Sequence, residues 1–83
     1  MDRSDALIAV QEAIQSVVPD ADLTHLDPDT PFRDALEFDS LDFLRFVEFL
    51  SQRIGVGIDE DAYAQLTTLN DSTAFLISRA AQL

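Results

Sequence analysis

The chain is expected to fold as an all-α bundle of three main helices and a short third one, with a long first loop. Three observations predict this. Apolar residues recur at helical spacing in separate stretches, strand-like alternation is confined to Val56-Gly57-Ile58, and prolines and glycines fall between the helical stretches. With 83 residues the chain makes one small domain with one core, spanning 1–83.

The first helix is expected over roughly residues 4–18. Ser4 is its expected N-cap, and Asp5 suits the positive end of the helix dipole. Its apolar face reads Leu7, Val10 (or Ala6), Ile14, and Val17 or Val18. Pro19 stops it, since proline lacks the amide proton and disfavours helical geometry at Val18. Residues 19–38 then form a long connection with three prolines and five aspartates. Loops of this length are usually functional or disordered. Leu23, Leu26, Phe32 and Leu36 favour an ordered crossover, with one helical turn at Asp34-Ala35-Leu36.

The second helix starts at Asp39 or Ser40. Positions 43, 46, 47, 50 and 54 form one apolar stripe, the expected core face. Leu41, Leu44 and Glu48 lie on another, and that second strip is more than a core helix needs. Gly55 ends the helix. A short third helix follows from Asp59 to about Leu66, turning Ala62, Tyr63 and Leu66 inward. Thr67-Thr68-Leu69-Asn70 reads as a turn. The fourth helix runs from about Asp71 to Ala81, with Ala74, Phe75, Ile77 and Ser78 near its buried side.

Composition excludes several functions. Sixteen acids oppose five arginines without any lysine, for a net charge of −11. Such a surface repels nucleic acid and anionic membranes and favours basic proteins. No apolar run approaches the ~20 residues of a membrane span, and the polar N-terminus is unlike a signal peptide, so a cytoplasmic monomer is expected. There is no cysteine, and His25 is the only histidine, read as an ordinary surface residue. No metal site is expected. Nor is an enzyme: Ser40 has no histidine or lysine nearby in sequence to act as its base.

Ser40 stands where the long acidic loop turns into the second helix. It either caps that helix or is presented for modification. A phosphodiester there would meet free amide protons and the helix dipole. Asp39 and Asp42 would attract a basic enzyme or its magnesium ion, and Leu41 and Leu44 would give that enzyme an apolar landing site.

Asp39-Ser40-Leu41-Asp42, after Leu36 and before the Phe43-to-Ile54 helix, resembles the attachment motif of acyl carrier proteins. The resemblance extends over nearly the whole chain, through Asp29-Thr30-Pro31-Phe32, Ile58-Asp59 and Thr67-Thr68-Leu69. It implies a four-helix bundle. It also implies that Ser40 bears 4′-phosphopantetheine, transferred from coenzyme A by a phosphopantetheinyl transferase, whose thiol carries acyl or aminoacyl groups as thioesters between acyl-loading and acyl-processing enzymes. Asp39, Leu41 and Asp42 are then transferase contacts, with Leu44 and Glu48 further along the recognition helix. The bundle interior would be open to an acyl chain, as in some relatives. Met1 and Leu83 fit a freestanding carrier of fatty-acid, polyketide or related specialised biosynthesis. The alternative is an acidic helical interaction module that is never modified, a degenerate carrier.

The chain departs from the family pattern in three places. Glu37 stands where a glycine is usual, and Phe38 where a small residue is common, so the turn is expected to change and to set a ring beside the arm. Arg45 and Arg53 replace expected acids on the recognition helix, pointing to a specialised partner set.

Overall fold

The computed structural model describes residues 1–82. In chain order the elements are α1 (Arg3–Val17), a 3-10 turn (Leu23–His25), the short α2 (Phe32–Ala35), α3 (Ser40–Ile54), a 3-10 helix (Glu60–Gln65) and α4 (Leu69–Ala80). Among the described residues there is no strand. The all-α bundle expected from the sequence is the observed fold. No helix among the described residues is long and apolar enough to cross a membrane.

Helix α1 packs against both α3 and α4. Its buried face is Ala6, Ala9, Val10, Ala13 and Ile14. Three alanines on that face let neighbouring backbones approach closely, so the buried stripe is turned away from Leu7, which is only half-buried. The cap also differs from expectation. Asp2, not Ser4, is the N-cap, and its Oδ1 accepts from the Asp5 N–H at 2.8 Å. Ser4 lies inside the helix.

The crossover from α1 to α3 is ordered. Phe32 is fully buried, and Leu23, Leu26 and Leu36 pack against the core. Two backbone bonds tie it to the start of α4: Phe32 N–H donates to Thr67 O at 3.1 Å, and Asn70 N–H to Pro28 O at 3.0 Å. Asn70 also donates through Nδ2 to Asp29 Oδ1 at 2.7 Å, while its Oδ1 accepts from Arg3 at 2.6 Å. His25 is exposed and pairs with Asp22 at 2.5 Å. The Thr24 hydroxyl, and after it the His25 ring, holds the Asp22 carboxyl below its ordinary pKa. A lowered carboxylate adds stability above its unfolded pKa and loses it as pH falls through the folded one.

In α3 all five expected core positions, Phe43, Phe46, Val47, Leu50 and Ile54, are buried. Gly55 follows in the left-handed conformation at φ 77°. The short third helix is a 3-10 helix, with Ala62 and Leu66 buried and Tyr63 partly so. Helix α4 differs most from expectation. It starts two residues before Asp71, at Leu69, where Thr68 Oγ1 caps it by accepting from Asp71 N–H at 3.0 Å. Its buried face is Leu69, Ser72, Thr73, Phe75 and Leu76, whereas Ala74 and Ser78 are exposed and Ile77 is half-buried.

Candidate functional site

The first turn of α3 assigns one task to each of two neighbouring residues. Asp39 is the N-cap. Its Oδ1 accepts from the Asp42 N–H at 2.8 Å, and Asp42 Oδ2 accepts in return from the Asp39 N–H at 3.2 Å. This reciprocal capping box satisfies the helix end. Ser40 is the first helical residue, exposed, and its hydroxyl makes no hydrogen bond among the described residues. The amides of Ser40 and Leu41, at the first two helical positions, have no acceptor inside the helix.

The turn that delivers Ser40 is a helix stop. Glu37 N–H donates to Asp34 O at 3.2 Å and Phe38 N–H to Arg33 O at 2.8 Å. These are the two bonds of a Schellman motif, which needs its central residue left-handed. Glu37 supplies that conformation at φ 57° and is the non-glycine residue with positive φ among the described residues. The usual glycine is therefore replaced without loss of the turn. The motif also sets an apolar contact between its last residue and the helix it closes. Here that contact is Phe38 on Phe32, edge to face at 5.9 Å. The Phe38 ring is thus turned into the core, 8% exposed, and does not stand beside Ser40 as the sequence had led us to expect.

Left-handed geometry costs an L-residue roughly 1–2 kcal/mol, and glycine's extra freedom when unfolded costs about 0.5–1 kcal/mol. Glu37→Gly is therefore expected to hold stability or raise it by up to about 1.5 kcal/mol. Glu37→Val is expected to lower it, because a β-branched residue fits poorly at positive φ. Urea denaturation of the two variants checks the pair, and a clear loss in Glu37→Gly would contradict the strain.

The remaining sequence-selected residues share the outer side of α3. Leu41 and Leu44 are 56% and 49% exposed, and Glu48 is exposed on the same side. Asp39 is exposed and Asp42 half-buried, and each uses one carboxylate oxygen in the cap. Four of the arginines are engaged within the fold. Arg3 binds Asn70, Arg53 meets Glu12 at 2.7 Å, Arg79 lies over the Phe75 ring at 4.9 Å, and Arg33 lies over the Phe43 ring at 4.3 Å. Arg45 makes no such contact among the described residues and is exposed beside Leu44. Arg53, anchored to α1, is thus less available to a partner than its position in the sequence implies.

Sequence reasoning missed Arg33. It sits next to Phe32 in a loop read only for its apolar anchors, and nothing in the spacing marks it as a neighbour of Phe43. Beneath the site, Phe32, Phe38 and Phe46 meet edge to face at 5.1–6.2 Å, and Phe43 meets Tyr63 at 5.3 Å. Five rings therefore occupy the interior under the first turns of α3. A groove of 450 Å³ opens elsewhere, between the 3-10 helix and α4, lined by Ala64, Gln65, Asp71, Ala74, Phe75 and Ser78. Among the described residues no three His, Asp or Glu side chains come together to hold a metal.

The head of α3 is thus closed by Asp39, and the exposed hydroxyl of Ser40 beside it is left unbonded among the described residues. Comparison with known proteins gives the family. The model of the phosphopantetheine attachment site family matches residues 9–76. The acyl carrier protein of Rubrobacter xylanophilus is 27% identical over 77 residues, covering 93% of this chain and 94% of that protein. No solved structure matches the chain.

The chain belongs to the acyl carrier protein family. It is a carrier and not an enzyme, its cofactor is covalently attached 4′-phosphopantetheine, and it works with a phosphopantetheinyl transferase and the enzymes of its pathway. The first turn of α3 fits such a group: it has an exposed, unbonded hydroxyl that could form the ester, and helix-start amides of the kind that favour an anion.

Proposed function

We infer that Ser40 is the attachment residue, in a single carrier domain spanning residues 1–83. The observation that carries this is the division of labour at the head of α3: Asp39 does the capping, so the Ser40 hydroxyl is held in place but unused. Ser40 Oγ displaces the adenosine bisphosphate half of coenzyme A. The Oγ–P bond forms, the diphosphate P–O bond breaks, and the hydroxyl proton passes to a base on the transferase. The attached arm supplies a terminal thiol that holds acyl or aminoacyl cargo as a thioester. Asp39 and Asp42 each keep one carboxylate oxygen free for a basic transferase, Leu41 and Leu44 give it an apolar footing, and Glu48 extends the contact along α3. Intact-protein mass after incubation with coenzyme A, magnesium and a broad-specificity transferase tests the assignment. An unmodified mass, beside a control carrier loaded in the same tube, would favour an unmodified interaction module.

The pathway is fatty-acid, polyketide or related specialised biosynthesis, and exposed Arg45 favours a dedicated partner set over general enzymes with basic docking patches. Arg45→Glu is expected to raise the rate of malonyl loading by a fatty-acid transacylase several-fold, most clearly at low salt, where screening is weakest. No gain would count against the dedicated set. The charge of −11 supports a monomer that avoids nucleic acid and membrane surfaces.

A further inference from the structure

We propose that Arg33 is a positioning residue for the phosphodiester of the arm, a proposal that rests on the reading of Ser40 as the attachment residue. A phosphodiester on Ser40 brings a negative charge into acidic surroundings. Asp39 and Asp42 lie in the same turn, and Asp34 and Glu37 lie in the stretch that leads to it. Arg33 is a cation in the stretch that leads to that turn. Its guanidinium sits over the face of Phe43, 4.3 Å from the ring centroid. Phe43 is three residues after Ser40, and residues at that spacing are neighbours on a helix surface.

The backbone holds Arg33 in this place. Its carbonyl accepts from Phe38 N–H at 2.8 Å, and the preceding residue, Phe32, is fully buried. Contact with a ring face engages the charge of a guanidinium and does not consume its N–H groups as hydrogen-bond donors. A planar fork of N–H donors is what binds two oxygens of a phosphate together. Arg33 is exposed, and no acceptor among the described residues takes its side-chain donors. The ring holds the cation over Phe43 before the anion arrives, and the anion then takes up donors that the apo fold leaves unused.

The test uses protein with 15N-labelled arginine, before and after loading, with mass confirming one arm per chain. Loading is expected to shift the Arg33 Nε–H resonance and to leave that of Arg79 in place. Arg33→Gln removes the cation and also the stack, so its absolute melting temperature is not the readout. The change in melting temperature on loading is. Loading is expected to lower the melting temperature of Arg33→Gln by several degrees more than that of the parent, with the difference fading in high salt, and Arg33→Lys is expected to restore part of it. An Arg33 resonance unmoved by loading overturns the proposal on its own. So does an equal effect of loading on the parent and on Arg33→Gln. A parent that gains no arm overturns both this proposal and the assignment of Ser40, whereas a loaded parent with an unmoved Arg33 overturns only this one.

Discussion

Ser40→Ala is expected to remove all gain of phosphopantetheine while leaving folding stability within about 0.5 kcal/mol of the parent. Both halves follow from the first turn of α3. The hydroxyl is exposed and unbonded, so its loss strands no partner, and alanine is at least as good a helix former. The same change removes the oxygen on which the ester must form. Asp39→Ala is expected to do the reverse. It removes the N-cap and half of the capping box, costing about 1 kcal/mol. It keeps the Ser40 oxygen, so the chain still gains its arm, more slowly without the neighbouring charge. Intact mass and urea denaturation of the two variants separate the roles. Loading of Ser40→Ala would move the attachment elsewhere. A strong loss of stability in it would mean that the hydroxyl does cap the helix.

Phe46→Ala is expected to cost about 3–5 kcal/mol, the range for deleting a buried phenyl ring. The Phe46 ring is fully buried and meets those of Phe32 and Phe38 edge to face, at 5.1 and 6.2 Å. At about 0.05–0.15 kcal/mol per residue, a chain of 83 residues has roughly 4–12 kcal/mol of stability in all. The change therefore removes a large share of it and lowers the melting temperature by about 12 °C or more. Leu44→Ala, only two residues away in sequence but half exposed, is expected to shift it little. Thermal melts followed by circular dichroism decide. A small effect of Phe46→Ala would mean that the core beneath Ser40 is more plastic than its packing implies.

What the sequence made legible depended on how much of the answer was local. The α3 stripe was readable because five large side chains repeat at one spacing and Gly55 marks the end. The α1 stripe was read off-centre because hydropathy gives weight to Leu7, whereas close helix packing selects Ala6, Ala9 and Ala13. The α4 face was misread for a related reason. Ser72 and Thr73 are small and polar, yet both are buried. Thr73 meets its need by donating to Leu69 O at 2.7 Å, a bond within its own helix that polarity alone does not reveal. Ser4 and Asp2 are both good caps, and only the structure distinguishes them. In the site, the sequence posed the question of Ser40 and marked Glu37 as unusual. That the replaced glycine keeps its left-handed turn, and so aims Phe38 inward, depends on two backbone bonds that no spacing encodes.

The knot at Asn70 divides the crossover into two stretches with different evolutionary freedom. Residues 28–32 are held to α4 through two backbone bonds and the Asn70 amide, which also reaches Arg3. Residues 19–27 are held mainly by local turns and by partly buried leucines. Insertions and deletions belong in the earlier stretch, where added length costs little closure entropy. Past Pro28 the same change would slip the register of the knot and carry Phe32 and the turn before Ser40 with it. Relatives can thus differ in the length of this crossover and still offer the serine from the same spot, provided the difference falls before the knot.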